Sequence, residues 1–209
     1  MAVEHIVPAG GVEKEPFIPY VAEKDYPDQL QPVLTPYIRR MGFVPNALKL
    51  YMHRPEIAET LWKLNSNIMR DASSTLDQEL KRRLSAICST ANGCTYCAAH
   101  CCDMLKKPTG ETAEGWGMTK DEVMSLVRGN MEPRDEMERV CFDFARAASA
   151  DPGTVPDDVF ERLKIHLTPP QIVELASVVG FWKMYNTIHD ALRIPIEAHL
   201  EHDTDFVHG

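Results

Sequence analysis

The sequence predicts an all-α protein with an extended, proline-rich N-terminal arm. Three observations carry that reading. From Pro45 onward apolar residues recur at helical spacing almost without a break, capping residues and first-turn prolines mark successive helix starts, and no stretch alternates apolar and polar residues between hairpin turns.

Residues 1–36 hold Pro8, Pro16, Pro19, Pro27, Pro32 and Pro36 with no sustained 3.6-residue period, so they read as an extended arm with at most one short helix at its end. A single all-α domain is expected over 37–209. Pro45 and Pro55 sit where a first helical turn tolerates proline and open NALKLYMHR and EIAETLWKLNSNIMR. Thr75 with Gln78, and Thr119 with Glu122, have capping-box spacing, while Thr168-Pro169-Pro170-Gln171 joins a cap, first-turn prolines and a glutamine at the third position. Helices are expected at about 76–92, 94–107, 119–129, 133–150, 156–166 and 169–191. The apolar face of the last, with Trp182 and Tyr185, reads first as core, as do Trp62, Met69 and Phe144.

Composition narrows function. A chain of 209 residues with 44% apolar and 25% charged residues is of ordinary globular make-up, and one core suffices for it. A net charge of −9 with only short basic runs repels phosphate backbones, so no nucleic-acid partner is expected. No apolar run reaches the roughly 18 residues of a membrane span, and MAVEHIVPAGG has neither the basic nor the apolar part of a secretory signal. A cytoplasmic location is expected, where clustered cysteines are more often catalytic or metal-binding than structural disulfides.

CTYCAAHCC, residues 94–102, holds four of the six cysteines. Asn92-Gly93 closes one helix and the next begins near Cys94, which puts Cys94 and Cys97 in a first turn. There the unpaired N–H groups and the positive end of the helix dipole favour thiolate over thiol. On a helical wheel Cys94, Cys97 and Cys101 fall within roughly 60° of one another. His100, three residues after Cys97, borders that stripe as a candidate general base. Cys102 points away and joins Cys88 and Cys141 as small buried hydrophobes. Three readings stand: a dithiol redox centre that needs no further cofactor, a zinc site using Cys94, Cys97, His100 and Cys101, or a sulfur-rich core helix without chemistry.

GFVPNALKLYMHRPEIAETLWKLNSNIMRDASSTLDQELKRRLSAICSTANGCTYCAAHCCDML, followed by DEMERVCFDFARAASADPGTV and TPPQIVELASVVGFWKMYNTIHDAL, resembles the peroxidase-related branch of the carboxymuconolactone decarboxylase superfamily. VPNALKL, ANGCTYCAAH and FWKMYN are the most specific pieces, and the likeness spans about residues 42–192. The resemblance implies the all-helical alkylhydroperoxidase D-like fold, assembled into homo-oligomers. It also implies Cys97 as attacker on a hydroperoxide, Cys94 as resolving cysteine, and re-reduction by a dithiol partner such as a lipoyl or thioredoxin-like protein. A histidine and an upstream glutamate pass protons in the redox members. Here the histidine's usual place is Cys101, with His100 one position earlier; the glutamate's place is Arg82, with Glu79 one turn upstream. Arg82 cannot act as a base, but facing inward it would stabilise a Cys97 thiolate.

The expectation is thus a thiol peroxidase or thiol-disulfide oxidoreductase, with Cys97, Cys94 and His100 catalytic, Cys101, Glu79 and Arg82 in support, and Trp182, Tyr185 and Asn186 as pocket candidates. The alternatives are a lyase-like relative acting on a small organic acid or lactone, and a non-catalytic structural or metal-binding relative.

Overall fold

A computed structural model describes residues 15–107 and 115–200. Residues 1–14 of the expected arm, with the MAVEHIVPAGG segment, and 201–209 of the expected domain lie outside the described residues. Among those described there are nine α-helices and no strand: α1 Gln31–Met41, α2 Asn46–Tyr51, α3 Pro55–Arg70, α4 Gln78–Ala91, α5 Thr95–Lys106, α6 Lys120–Val127, α7 Glu136–Ala150, α8 Asp157–His166 and α9 Pro169–Ala191. Each helix expected from the sequence is present, with ends that differ by a few residues.

Two expectations need correcting. The boundary drawn at residue 36 falls inside α1. Its Pro32 lies in the first turn, where a missing N–H costs no hydrogen bond, and the apolar set Leu30, Val33 and Leu34 is buried against Val44, Leu48, Met52 and Ala58. Packing across that small second core carries the short helix allowed at the end of the arm past residue 36. Thr75 is not a helix cap either. Asp77 caps α4 by accepting from the Leu80 N–H, while Thr75 donates from its hydroxyl and its N–H to Glu174 of α9. The expected capping boxes at Thr119–Glu122 and Thr168–Gln171 are both formed.

α4 is the central helix and packs on α3, α5, α6, α7 and α9. Leu80, Leu84, Ile87 and Cys88 fill the space between those neighbours. Lys81, with 0% exposure, is held by Glu174 and by the Ile68 carbonyl at 2.8 Å, which ties the ends of α3, α4 and α9 together. A second ion cluster joins the buried Glu138 of α7 to Arg83 and to the exposed Arg134.

The α4–α5 junction sets the position of the cysteines. Gly93 takes φ +73°, which a glycine adopts without steric cost. The Cys94 N–H then reaches the Ser89 carbonyl at 3.0 Å and the Gly93 N–H the Thr90 carbonyl at 3.0 Å, the paired closure of a Schellman turn. Cys94 thereby becomes the N-cap of α5. Among the described residues no helix is long and apolar enough to cross a membrane.

Candidate active site

Cys94 caps α5 through sulfur, its Sγ accepting from the Cys97 N–H at 3.4 Å. The two thiols thus share the first turn of the helix, as the CxxC spacing requires. Both are buried, and at Cys97 burial outweighs the helix dipole. Loss of solvent pushes the Cys97 thiol well above the ordinary thiol range, and contact with Cys94 pushes it further. The thiolate expected at a helix N-terminus is therefore replaced, in the resting site, by a protonated thiol.

The nitrogen that meets Cys97 comes from α9. His189 Nδ1 lies 3.0 Å from Cys97 Sγ. His189 sits one turn beyond Tyr185 and two beyond Trp182, on the buried stripe of that helix, and rings of Tyr51, Tyr96 and Tyr185 surround it at 5.8, 5.2 and 5.2 Å between centroids. Burial, helped by nearby His100, lowers its pKa to about 3, so the imidazole is neutral. A neutral ring that accepts the Cys97 S–H at Nδ1 carries its own hydrogen on Nε2. Nε2 is buried and has no hydrogen-bond partner among the described residues. A proton acceptor on the sulfur side and an unused donor on the other are thus combined in one ring.

His100 does not take the role expected of it. Its Nε2 faces Glu197 Oε2 at 2.7 Å. Glu197 also accepts from the Asn46 N–H at 2.6 Å and the Tyr96 hydroxyl at 3.1 Å, and that hydroxyl accepts from the Ala47 N–H at 3.0 Å. Burial alone would raise the Glu197 carboxyl, but His100 and the Asn46 N–H outweigh it and hold the pKa at about 2. On α5, Cys97 and His100 lie about 60° apart and one turn apart along the axis; Cys97 meets His189 of α9, while His100 meets Glu197 of the segment after Arg193.

Glu79 pairs with Arg83 and Arg134 and does not line the site. Cys101 and Arg82 do line it. Cys101 is held up to about 11 by burial, restrained by the Ser85 hydroxyl and by the Arg82 charge. Asn186 is buried against Ser89 and the Cys88 carbonyl, each at 3.4 Å, and acts as a strut between α9 and α4. Since His100 turns to Glu197, the four groups of the zinc reading do not converge, and among the described residues no three metal-capable side chains do.

A cavity of about 110 Å³ opens beside Cys97, and neither Cys94 nor Asn186 is among its lining residues. Cys97, Cys101, His100 and His189 meet there with the rings of Trp62, Tyr51, Trp182 and Tyr185 and with Leu48, Leu61 and Met104. Trp182 and Tyr185 are therefore both core and wall. Sequence reasoning passed over His189, although its place four residues after Tyr185 and seven after Trp182 put it on the same helical face as two pocket candidates.

Comparison with known proteins bears on this arrangement. No family model matches the chain. It is 24% identical over 126 residues to the uncharacterized protein YnjA of Escherichia coli (strain K12), covering 60% of this chain and 65% of that protein, which is less than two thirds of the relative's length. A peroxidase-related protein from Ralstonia eutropha JMP134 with an alkylhydroperoxidase AhpD core superposes with a TM-score of 0.75 at 18% identity, over 90% of this chain and 96% of that one. This chain has the alkylhydroperoxidase D-like fold. Another structure with this fold is a variant of the debrominase Bmp8 in complex with 2,3,4-tribromopyrrole, at a TM-score of 0.74 and 24% identity over 90% of this chain and 95% of that one. In the alkylhydroperoxidase D-like fold as this sequence builds it, the cysteine pair is delivered by α5 and its imidazole by α9.

Proposed function

We propose that this chain is a thiol-dependent oxidoreductase that reduces a small organic hydroperoxide at Cys97. The observation that carries the reading is the 3.0 Å contact between Cys97 Sγ and His189 Nδ1 at the wall of an apolar cavity, with Cys94 in the same helical turn. As the hydroperoxide approaches, the Cys97 proton moves to His189 Nδ1 and the sulfur attacks the outer peroxide oxygen. The O–O bond breaks, Cys97 becomes sulfenic acid, and the departing alkoxide takes a proton from His189 Nε2 and leaves as the alcohol. An imidazole with so low a pKa holds the extra proton only in passing. Cys94 then attacks the Cys97 sulfur, water departs, and the two cysteines form a disulfide. A dithiol partner returns two electrons and two protons. With Cys94 and Cys97 0% and 2% exposed, a dithiol on a slender arm suits the cavity better than one fixed on a broad protein surface.

A second reading uses the same groups. The likeness to the debrominase Bmp8 and the five tyrosine and tryptophan rings on the cavity wall favour reductive removal of halogen from a small aromatic ring. The Cys97 sulfur takes up the halogen without its bonding electrons, His189 supplies the proton to the ring carbon, and Cys94 displaces halide to close the same disulfide.

The test separates the two. Reduced protein is mixed with cumene hydroperoxide or with 2,3,4-tribromopyrrole while thiol loss, alcohol formation and bromide release are followed. Peroxide reduction predicts loss of two thiols per alcohol formed and no turnover in Cys97→Ser. Bromide release without alcohol formation selects the second reading, and unchanged turnover in Cys97→Ser removes both.

A further inference from the structure

Two hydrogen-bond donors of the cavity wall have no acceptor among the described residues. Trp182 and His189 both line the cavity, and they are 8% and 5% exposed. Trp182 Nε1 and His189 Nε2 are buried, and nothing described accepts from either. A buried N–H without an acceptor forfeits the hydrogen bonds that water gave it in the unfolded chain, so folded proteins leave few of them. The two residues are seven apart on α9, and two turns bring them to within about 20° of one another around the helix. Tyr185 stands between them, its ring 6.1 Å from that of Trp182 and 5.2 Å from that of His189. One cavity-lining face of α9 thus carries an unused N–H at each end of an aromatic surface. Neighbouring polar groups of the wall are engaged: the Tyr96 hydroxyl lies between the Ala47 N–H and Glu197, His100 is held by Glu197, and the Asn65 side-chain carbonyl accepts from Arg70. An indole N–H can only donate, and it keeps its hydrogen at every working pH.

We infer that the cavity takes single-ring molecules that carry a hydrogen-bond acceptor, an aromatic nitrogen or a carbonyl or ether oxygen, and that Trp182 Nε1 donates to it. A cavity of about 110 Å³ is of the order that holds one ring, since an apolar cavity of about 150 Å³ takes up benzene. Trp182 thereby sets specificity: a ring with an acceptor satisfies the indole N–H, and a ring without one leaves it unpaired. His189 Nε2 stays with the leaving group. Placing the reacting bond between Cys97 and His189 rests on the function proposed above; recognition of the acceptor by Trp182 does not.

Pyridine and benzene have one shape and differ in the acceptor nitrogen, and pyridine is uncharged at pH 8. Calorimetric titration of the reduced protein with each tests the inference without turnover. Trp182→Phe keeps an aromatic ring and removes the N–H, and the preference for pyridine relative to benzene should fall in it by about three-fold or more, the share of one neutral hydrogen bond. The same ratio should hold in Trp62→Phe, which alters the other tryptophan of the wall, with thermal melts establishing that each variant is folded. In nitrogen-15-labelled wild-type protein, pyridine should move the Trp182 indole N–H resonance downfield by more than benzene does. Trp62→Phe and Trp116→Phe identify that resonance by elimination, so this readout stands even if Trp182→Phe does not fold. Failure of pyridine to bind, or saturation with no such movement, overturns the inference. An unchanged ratio in folded Trp182→Phe overturns the assignment to that residue. Absence of hydroperoxide turnover in protein that shows the pyridine shift would remove the proposed function and leave the acceptor site standing.

Discussion

Replacing His189 by glutamine keeps the size of the side chain and removes the proton acceptor on Cys97. The structure sets the expected loss. Burial holds the Cys97 thiol above the ordinary 9.0, so at pH 7 no more than about 1% of it is thiolate without help. Loss of the acceptor therefore slows attack on hydroperoxide by at least about 10²-fold, in line with the 10² to 10⁴ of general-base catalysis, or about 3 to 5 kcal/mol of barrier. The pH profile distinguishes this from mere damage to the site. With His189 at about 3, the wild-type imidazole is a neutral acceptor throughout, and the single-turnover rate should stay flat from about pH 4.5 to 8.5. In His189→Gln the rate should climb about ten-fold per pH unit over the alkaline half of that range, because thiolate must now form in advance. Stopped-flow mixing of reduced protein with cumene hydroperoxide reads both. A variant that keeps more than half of the wild-type rate at pH 7, or a wild-type rate that falls with a midpoint near 6.5, refutes the role given to His189.

Other expectations follow from the buried charges and thiols. The folded Glu197 carboxyl at about 2 lies below its ordinary 4.5, so it stabilises the fold by about 3 kcal/mol above pH 4.5. That contribution is lost as pH falls from 4.5 towards 2; Glu197→Gln should flatten urea-unfolding stability over this window, and an unchanged slope would contradict the His100–Glu197 pairing. Lys81→Ala leaves Glu174 without its buried ammonium and should cost about 3 to 5 kcal/mol in urea unfolding, whereas a cost under 1 kcal/mol would mean that the pair is not closed in solution. Cys88 and Cys141, both raised to about 12 by burial, should remain unlabelled by iodoacetamide in folded protein at pH 8, and Cys141→Ala should change turnover less than two-fold. Mass spectrometry of the labelled peptides reads the first result, and labelling at either site would contradict the burial assigned to it.

Local signals were legible wherever neighbours in sequence are also neighbours in space. The boxes at Thr119 and Thr168, the left-handed Gly93 and the first-turn position of Cys94 and Cys97 all depend on contacts within a few residues. The errors involve distant partners. Thr75 has capping spacing, yet Glu174, 99 residues away, takes its hydroxyl and N–H. His100 has the right spacing from Cys97, yet Glu197, 97 residues on, holds it, while His189 arrives from 92 residues away to meet the thiol. Glu79 is drawn to Arg134, 55 residues on, as well as to Arg83 one turn away on its own helix.

Residue order was enough to establish that the chain is helical, where its helices begin, and that two cysteines share one first turn, because periodicity, caps and CxxC spacing are local properties of the backbone. The imidazole that meets Cys97, the place of Arg82 on the cavity wall and the protonated state of the resting thiol emerged from packing. Those depend on which helix faces meet and on how completely water is excluded between them, and neither is encoded in the spacing of any one segment.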